Sequence, residues 1–397
     1  MNRRTFLTHT GCLAATATLP RLNAAAEAAS TGALAAHCIA AVEYRAIDTS
    51  WPRPVGKNAK LDVHGQTRSA TVVRLRTNQG AAGWGLMPGG RRAAEAATPL
   101  ITGQSVAELF DPAAGIKTAN LRPFDFALHD LAGVILGQPV WRLLGAVRPQ
   151  SVPVYSGMIY FDDLEPKEAP AGIDRVLANC RQDHGLGYRQ LKIKIGRGNK
   201  WMSAEAGLRR DIEVVRAIAR DFPDCQLLVD GNDGFSVESV IAFLRGIDGI
   251  PLVWIEEPFV ESLDSWRRVH TWVRASSTYA RTLLADGEQG NIPAVLEQLE
   301  REGVLNVRLN DIVGLGFTAW RQLMPALARQ NVQGSPHAWG EKLKTIYTGH
   351  LVAAFGNCPT IEGVTCSDRD VDFGPHAIVG GKLAISDRPG FGMTLRS

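Results

Sequence analysis

From about residue 152 onward, short apolar runs alternate with longer stretches of helical periodicity. The runs at residues 190–195, 226–230 and 252–256 predict strands, and the stretches at 206–220 and 237–244 predict the helices between them. About seven or eight such units cover roughly 220 residues, up to a last apolar run at residues 359–362. Repeated βα units of this length predict a parallel sheet, and a closed barrel fits that number better than an open sheet.

The pattern before residue 150 is different, because alternation with a period of two comes first and helical periodicity follows. Residues 39–47 and 70–77 predict strands, and Gly83-Trp84-Gly85 lies in a strand that returns after the turn at 78–80. Helical periodicity then runs from about Ala93 to Gly133 and breaks at Gly137-Gln138-Pro139. These patterns predict a small N-terminal α+β domain.

The predicted domains follow one another without a low-complexity linker, so we expect them to pack rigidly. The boundaries that we assign are 1–28 for a signal peptide, 36–148 for the α+β domain, 149–375 for the barrel and 376–397 for a C-terminal segment.

The N-terminus predicts an export signal. Arg3 and Arg4 lie in Asn2-Arg3-Arg4-Thr5-Phe6-Leu7, which resembles a twin-arginine motif, and a mildly apolar stretch at residues 11–19 follows. Small residues at 24–28 offer a cleavage site. We therefore expect a protein that is exported already folded, into the periplasm. No later run reaches the ~18 apolar residues of a membrane span, so we expect no membrane partner.

Composition and charge narrow the classes of partner. The chain of 397 residues is 45% hydrophobic and 21% charged, with a formal net charge of +3, which is typical of a globular protein. It has no basic block and no basic helix with interleaved aromatics, so we expect no nucleic-acid partner. The cysteines that remain after the signal are an odd set without CxxC spacing, which favours buried thiols over a zinc site and leaves one disulfide open.

Three carboxylates follow predicted strands at intervals of about one βα unit. Asp230, Glu256 and Glu288 are 26 and 32 residues apart, and polar residues at the C-terminal ends of parallel barrel strands meet at one mouth. Oxygen ligands favour a hard cation, so the sequence predicts a magnesium site. A solvated acid at a strand end is the alternative for any one of them.

Two lysines lie on one side of the preceding predicted strand. Lys192 and Lys194 are two residues apart and therefore point in the same direction, into the mouth of the barrel. A nearby cation disfavours the ammonium form, which would make Lys194 a useful base, while Lys192 can equally be an ion-pair partner of the carboxylates. His337 is a candidate second acid or base, and Glu362 follows the last strand as a hydrogen-bonding group.

The chain resembles the enolase superfamily, in its mandelate racemase and muconate-lactonizing branch. The resemblance covers nearly all of the chain after the signal and includes the segments 80–85, 127–133, 137–145 and 389–392. It implies a (β/α)7β modified TIM barrel beneath an α+β capping domain, and a C-terminus that returns to the cap. It also implies Mg2+, a small carboxylate substrate that loses its α-proton, and a homo-oligomer.

The resemblance also implies roles for individual residues. By position, Asp230, Glu256 and Glu288 match the metal ligands, with Asp286 as the alternative to Glu288, and Asn232 matches the polar residue after the first ligand. Lys194 matches the base on the second barrel strand, and Lys192 stands beside it. His337 matches the base on the seventh strand, and Glu362 matches the last-strand acid of the acid-sugar dehydratases.

One position departs from the pattern. In the racemase and dehydratase groups an aspartate 27 residues before the histidine orients it, and here that position is Asn310, with Asp311 next to it. Asparagine would stabilise an imidazolium less well than aspartate. Another alignment places Arg308 where related branches have a lysine, and a guanidinium there would act as an electrophile or a carboxylate clamp.

These observations predict dehydration of an acid sugar to a 2-keto-3-deoxy acid. A racemase or epimerase, which removes a proton and returns it on the other face, is the first alternative, and a carboxylate-binding protein without turnover is the second. We predict that the polar segment 51–68 is a loop that covers the mouth and contacts the far end of the substrate through Arg53, Lys57 and His64.

Overall fold

The computed structural model describes residues 24–288 and 292–396. The predicted twin-arginine motif and residues 1–23 of the predicted signal lie outside the described residues, as do 289–291 and 397. The described chain forms an N-terminal cap and a parallel barrel, and its C-terminal segment contacts the cap again.

The cap is an antiparallel sheet covered by helices. Its elements are α1 (Ala24–Ala35), β1 (Ile39–Val55), β2 (Gly65–Thr77), β3 (Ala82–Leu86), α2 (Gly90–Ala97), α3 (Val106–Leu109), β4 (Phe110–Asp111), β5 (Gly115–Ile116), α4 (Asp125–Leu136) and α5 (Val140–Leu143). From Ile47 to Val55 the side chains of β1 are alternately buried and exposed, as expected for a strand covered on one face. The prediction of a loop over 51–68 was therefore wrong at both ends, and only residues 56–64 connect β1 to β2.

The predicted helical stretch of the cap is divided into pieces. The hairpin β4–β5 separates α3 from α4, and Gly115 in that hairpin has φ +98°, which a helix does not contain. As the sequence predicted, α4 ends before Gly137, whose left-handed backbone (φ 64°) terminates the helix.

The barrel contains a sheet of eight strands among the described residues, and the strand order is β12-β11-β10-β9-β8-β7-β6-β13. The strands are β6 (Val154–Ile159), β7 (Gln190–Lys194), β8 (Gln226–Asp230), β9 (Leu252–Glu256), β10 (Leu283–Asp286), β11 (Val307–Arg308), β12 (Gln333–Gly334) and β13 (Ile361–Gly363). All of the neighbouring strands pair in parallel. The predicted (β/α)7β barrel with an α+β cap is confirmed.

Helices surround the barrel and bury their apolar faces against it. They are α6 (Ile173–Gly185), α7 (Ala204–Asp221), α8 (Val237–Gly246), α9 (Leu263–Ala275), α10 (Pro293–Arg301), α11 (Ile312–Leu315), α12 (Phe317–Arg329) and α13 (Lys342–Phe355). Inside the barrel, a separate buried cluster around Tyr155, Leu228 and Trp254 fills the interior. A packed interior leaves the ends of the strands as the place for a site.

After the barrel, the chain returns to the cap. The last strands are β14 (Ser367–Asp368), β15 (Val371–Asp372), β16 (Ala377–Val379), β17 (Lys382–Ala384) and β18 (Thr394–Leu395). β14 pairs with β1 and so joins the cap sheet, although its residues fall in the segment that we assigned to the barrel. Phe391 donates its backbone N–H to Asp130 of α4 at 2.8 Å, which fixes the C-terminal segment on the cap.

Two further observations concern the described part of the chain. Its five cysteines are free thiols. None of its helices combines the length and the apolar character needed to cross a bilayer.

Candidate active site

Three carboxylates converge at the C-terminal ends of the barrel strands. Asp230 ends β8, Glu256 ends β9 and is its partner in the parallel register, and Glu288 follows β10 by two residues. One oxygen atom of each of the three carboxylates lies within 4.8 Å of the others. An oxygen-only set of this size fits a hard divalent cation such as magnesium.

The electrostatics of this trio also fit a cation. Burial and the neighbouring Asp230 raise the pKa of Glu256 well above its ordinary value. Burial alone would also raise the pKa of Asp230, but Lys194 and Lys192 outweigh burial and lower it. The trio therefore concentrates negative charge in a buried place, and a bound cation would relieve that repulsion.

The structure distinguishes between the two candidates for the third ligand. The Asp286 carboxylate accepts a hydrogen bond from Trp266 Nε1 at 2.7 Å and one from the Gly287 backbone N–H at 2.6 Å. Trp266 belongs to α9, outside the barrel, so Asp286 is directed away from the mouth. Glu288 instead lies with Asp230 and Glu256.

Both lysines of β7 contact the carboxylates. Lys192 Nζ lies 2.7 Å from Glu256, 3.2 Å from Asp230 and 3.3 Å from Glu362, and Lys194 Nζ lies 2.5 Å from Asp230. Burial opposes their charge, but the surrounding carboxylates outweigh it and raise the pKa of both lysines. This differs from the lowered pKa that we expected beside a cation, because the neighbouring carboxylates stabilise the ammonium form of both lysines.

His337 is held between carboxylates on both sides of its ring. Its Nδ1 lies 3.0 Å from Asp311 Oδ2, and its Nε2 lies 3.2 Å from Glu288 Oε1 and 3.5 Å from Glu362 Oε2. Burial would lower the pKa of His337, but Glu288, Glu362 and Asp311 outweigh burial and raise it. The site therefore favours an imidazolium that donates from both nitrogens.

The residue that orients His337 is Asp311, so the assignment of this role to Asn310 was wrong. Asn310 donates to the Gly287 carbonyl at 3.0 Å and accepts from Arg308 at 3.3 Å. Asp311 and His337 form a parallel bridge just beyond the ends of β11 and β12, which places the two side chains together. The predicted spacing was off by a single residue.

Asp311 is fixed independently of His337. Its Oδ1 accepts from the backbone N–H groups of Val313 and Gly314, which makes it the N-cap of α11, and Lys344 Nζ contacts its Oδ2 at 3.0 Å. An aspartate directly before a short helical segment was the sequence signal for this residue.

Glu362 closes the site opposite the trio. Its Oε2 accepts from the Ala338 backbone N–H at 3.0 Å, and its Oε1 lies 3.3 Å from Lys192. Gly157 on β6 makes room for it, because a Cβ at that position would lie 2.3 Å from Glu362 Oε1. Lys192 and His337 outweigh the effect of burial and lower the pKa of Glu362.

Two of the predicted substrate residues have other partners. Arg53 is buried and donates to both oxygens of Asp183, at 2.6 and 2.8 Å, and to the Met158 carbonyl at 2.9 Å. Lys57 contacts Glu165 and lies 4.7 Å from the ring centroid of Trp201. A buried carboxylate pairs with Arg53 and a partly exposed one pairs with Lys57, so both cations join the cap to the barrel in this structure and neither is free for the substrate contact that we predicted.

Arg308 is likewise occupied, because it donates to the Glu300 carboxylate of α10 at 2.7 and 2.8 Å.

The other two predicted substrate residues, Asn232 and His64, lie near the site. Asn232 follows Asp230, donates its backbone N–H to Asp230 Oδ1 at 3.0 Å, and has a left-handed backbone (φ 41°). His64 packs against Tyr160, whose ring centroid lies 5.4 Å from Lys194 Nζ. Tyr160 was missed, because it directly follows the apolar run of β6 and that run does not reveal which nearby aromatic residue faces the mouth.

Comparison with known proteins places these residues in a family. Residues 175–397 match the family model described as enolase C-terminal domain-like. The chain is similar to a D-galactarolactone cycloisomerase of Agrobacterium fabrum, with 25% identity over 363 residues, which cover 83% of this chain and 89% of that protein.

Solved structures of similar fold match nearly the whole chain. A galacturonate dehydratase of Geobacillus sp., complexed with D-galacturonate and 5-keto-4-deoxy-D-galacturonate, is 27% identical with a TM-score of 0.82, and covers 91% of this chain and 95% of that one. A mandelate racemase/muconate lactonizing protein of Geobacillus sp., complexed with magnesium/tartrate, is 26% identical with a TM-score of 0.85, and covers 92% and 95%.

Proposed function

The chain belongs to the enolase superfamily, and from that premise we propose that it dehydrates an acid sugar to a 2-keto-3-deoxy acid. It is an enzyme, and magnesium is its cofactor. One observation carries the proposal: Lys194 contacts Asp230 and His337 contacts Glu288, so that two proton-transfer groups flank the carboxylate trio at its opposite ends.

The cofactor has a fitting set of residues in Asp230, Glu256 and Glu288. When bound there, magnesium supplies a Lewis acid that stabilises the negative charge developing on the substrate carboxylate, and its own charge opposes the ammonium form of the nearby lysines.

The residues of the chain then have distinct tasks. Lys192, fully buried among carboxylates, holds the substrate carboxylate and stabilises it as it gains charge. Lys194 accepts the α-proton at Nζ. His337, held as an imidazolium, donates its Nε2 proton to the β-hydroxyl, which leaves as water. The resulting enol becomes the 2-keto acid when its β-carbon takes up a proton.

Racemisation or epimerisation is the second candidate, and the same flanking positions of Lys194 and His337 favour it. If one group removes the α-proton and the other returns a proton to the opposite face, no water is lost. The third hypothesis, a binding protein without turnover, rested on Asn310, and it loses that support because Asp311 orients His337.

The test is a screen of the protein with magnesium against acid sugars, with 2-keto acids detected. We expect one or more to be dehydrated, and we expect Lys194→Ala and Glu256→Gln to lose at least ~100-fold in kcat. Lys382→Ala, which removes an exposed lysine of β17, is the matched control and should retain activity.

Solvent deuterium distinguishes the two candidates. Exchange of the α-hydrogen without loss of water would favour the racemase or epimerase over the dehydratase. Absence of both exchange and dehydration with every acid sugar would refute proton abstraction from this class of substrate.

We also propose that the enzyme is exported to the periplasm. The support is the sequence motif around Arg3 and Arg4. Fractionation of cells that express the full chain, and the same experiment with Arg3 and Arg4 replaced by lysine, tests it. A wild-type protein that stays in the cytoplasm would contradict the proposal.

A further inference from the structure

Four aromatic side chains form a continuous wall beside Lys194. The aromatic wall consists of Trp51 and His64 from the cap, Tyr160 after β6, and Trp339 two residues after His337. The ring centroid of His64 lies 5.0 Å from that of Tyr160 and 4.9 Å from that of Trp339, and the ring centroids of Trp51 and Trp339 are 5.2 Å apart. The wall starts at the proton acceptor, since the Tyr160 ring lies 5.4 Å from Lys194 Nζ.

The polar groups of the aromatic wall are neutral. His64 Nδ1 lies 2.7 Å from the Gly56 carbonyl, which only accepts, so Nδ1 donates and Nε2 is left as an acceptor. Burial, together with Lys194 and Arg68, lowers the pKa of His64, which agrees with a neutral ring. Trp339 Nε1 is a buried donor that has no hydrogen-bond partner among the described residues. One acceptor and one donor of this kind match hydroxyl groups.

The cations of the cap near the mouth are already paired. The segment 51–68 contains four lysines and arginines, and each contacts a carboxylate. The pairs are Arg53–Asp183, Lys57–Glu165, Lys60–Asp233 and Arg68–Glu341. A second carboxylate on the substrate would compete with these partners for the cations, and the buried partners Asp183 and Glu341 would then lose counter-charge.

From these observations we infer that the mouth selects acid sugars with a single carboxylate, whose far end is uncharged and lies against the aromatic wall. The inference rests on the proposed function and goes further, because it separates monocarboxylates from the diacids of the same configuration. Aromatic faces bind the C–H surfaces of a sugar, while the indole N–H of Trp339 and Nε2 of His64 bind its hydroxyls.

The experiment compares pairs of acids that differ only at the far end. Galacturonate and galactarate are one such pair. The rest of the panel consists of further pairs, in which a monocarboxylic acid sugar is matched with the diacid of the same configuration. We expect the better monocarboxylate to exceed its diacid at least tenfold in kcat/KM. Preference for the diacid, with dehydration intact, would overturn the inference and leave the proposed function standing.

Two variants test the wall itself. Trp339→Leu should raise KM for the preferred monocarboxylate at least tenfold with a smaller change in kcat, whereas Trp272→Leu on the outer helix α9 should not. Equal effects of the two substitutions would refute a role for the wall in binding.

A third variant changes the charge. Glu341→Gln removes the partner of Arg68, which lies over the Trp339 ring at 6.0 Å, so the ratio of diacid to monocarboxylate turnover should rise at least threefold. An unchanged ratio would contradict the argument from paired cations. Lack of turnover and of deuterium exchange across the whole panel would instead refute the proposed function, and this inference with it.

Discussion

Arg53 offers a direct test of how the cap is attached to the barrel. Its side chain is 5% exposed and that of Asp183 is 2% exposed, and the two hydrogen bonds between them are 2.6 and 2.8 Å long. Arg53→Met would leave the Asp183 carboxylate buried with one remaining side-chain donor among the described residues, Ser156 Oγ at 2.6 Å. Removing one partner of a buried ion pair costs about 3–5 kcal/mol, so we expect the free energy of unfolding to fall by that amount.

The assay is urea unfolding followed by circular dichroism, in a double-mutant cycle. Arg53→Met and Asp183→Asn should each be strongly destabilising, and the double variant should lose at least ~2 kcal/mol less than their sum, because the two residues interact directly. Arg91→Met is the matched control. Its partner Glu95 is exposed, with side-chain exposures of 59% and 49%, so that pair should contribute about 0–1 kcal/mol.

A different result would support the substrate contact that the sequence predicted for Arg53. If the free energy of unfolding of Arg53→Met lies within ~1 kcal/mol of the wild-type value, and the effects of the two single substitutions add in the double variant, the ion pair does not hold the cap on the barrel. An increase in KM for acid sugars in such a stable variant would then indicate contact with the substrate.

Three further predictions follow from the site and the core. Asp311→Asn removes the charge-assisted hydrogen bond to His337, which is worth about 1.5–3 kcal/mol. We therefore expect kcat/KM to fall about 10- to 100-fold in steady-state assays. Rates that equal those of the wild type would contradict this. Glu288→Gln should weaken magnesium binding at least tenfold in calorimetry, and unchanged affinity would remove it from the ligand set. Burial lowers the pKa of His350 and His376 below 6.5, so below that pH the unfolded chain binds protons that the folded chain does not. The contribution of these two histidines to the free energy of unfolding should therefore be at its full value above pH 6.5 and decrease as the pH falls below it. Urea midpoints that stay constant from pH 7.5 to 5 would refute the reasoning.

Regular strands made the metal site predictable. β8 and β9 are five residues long, their apolar side chains are visible in the sequence, and each ends at its carboxylate. In parallel strands such ends meet at one edge, so Asp230 and Glu256 could be placed together without a structure. The same regularity placed Lys192 and Lys194 on one side of β7.

The pairing of His337 could not be derived in that way. β11 and β12 are two residues long, so no alternation fixes which of Asn310 and Asp311 faces the histidine. The partner of Arg53 was equally inaccessible, because Asp183 is 130 residues away in the sequence and the contact depends on how the cap lies on the barrel. Short strands and contacts between domains carry little local pattern.

The strand that completes the cap sheet comes from near the end of the chain. Thr49 of β1 is paired with Asp368 of β14, across 319 residues. Since a ribosome releases the N-terminus first, the cap sheet stays incomplete until residue 368 has emerged, and Glu362 of the active site emerges only shortly before it. Contacts between such distant residues form slowly. A nascent chain that has not reached residue 368 therefore lacks the pairing of β14 with β1, and before residue 362 it also lacks the Glu362 carboxylate, so the cap sheet and the active site are both assembled late in synthesis.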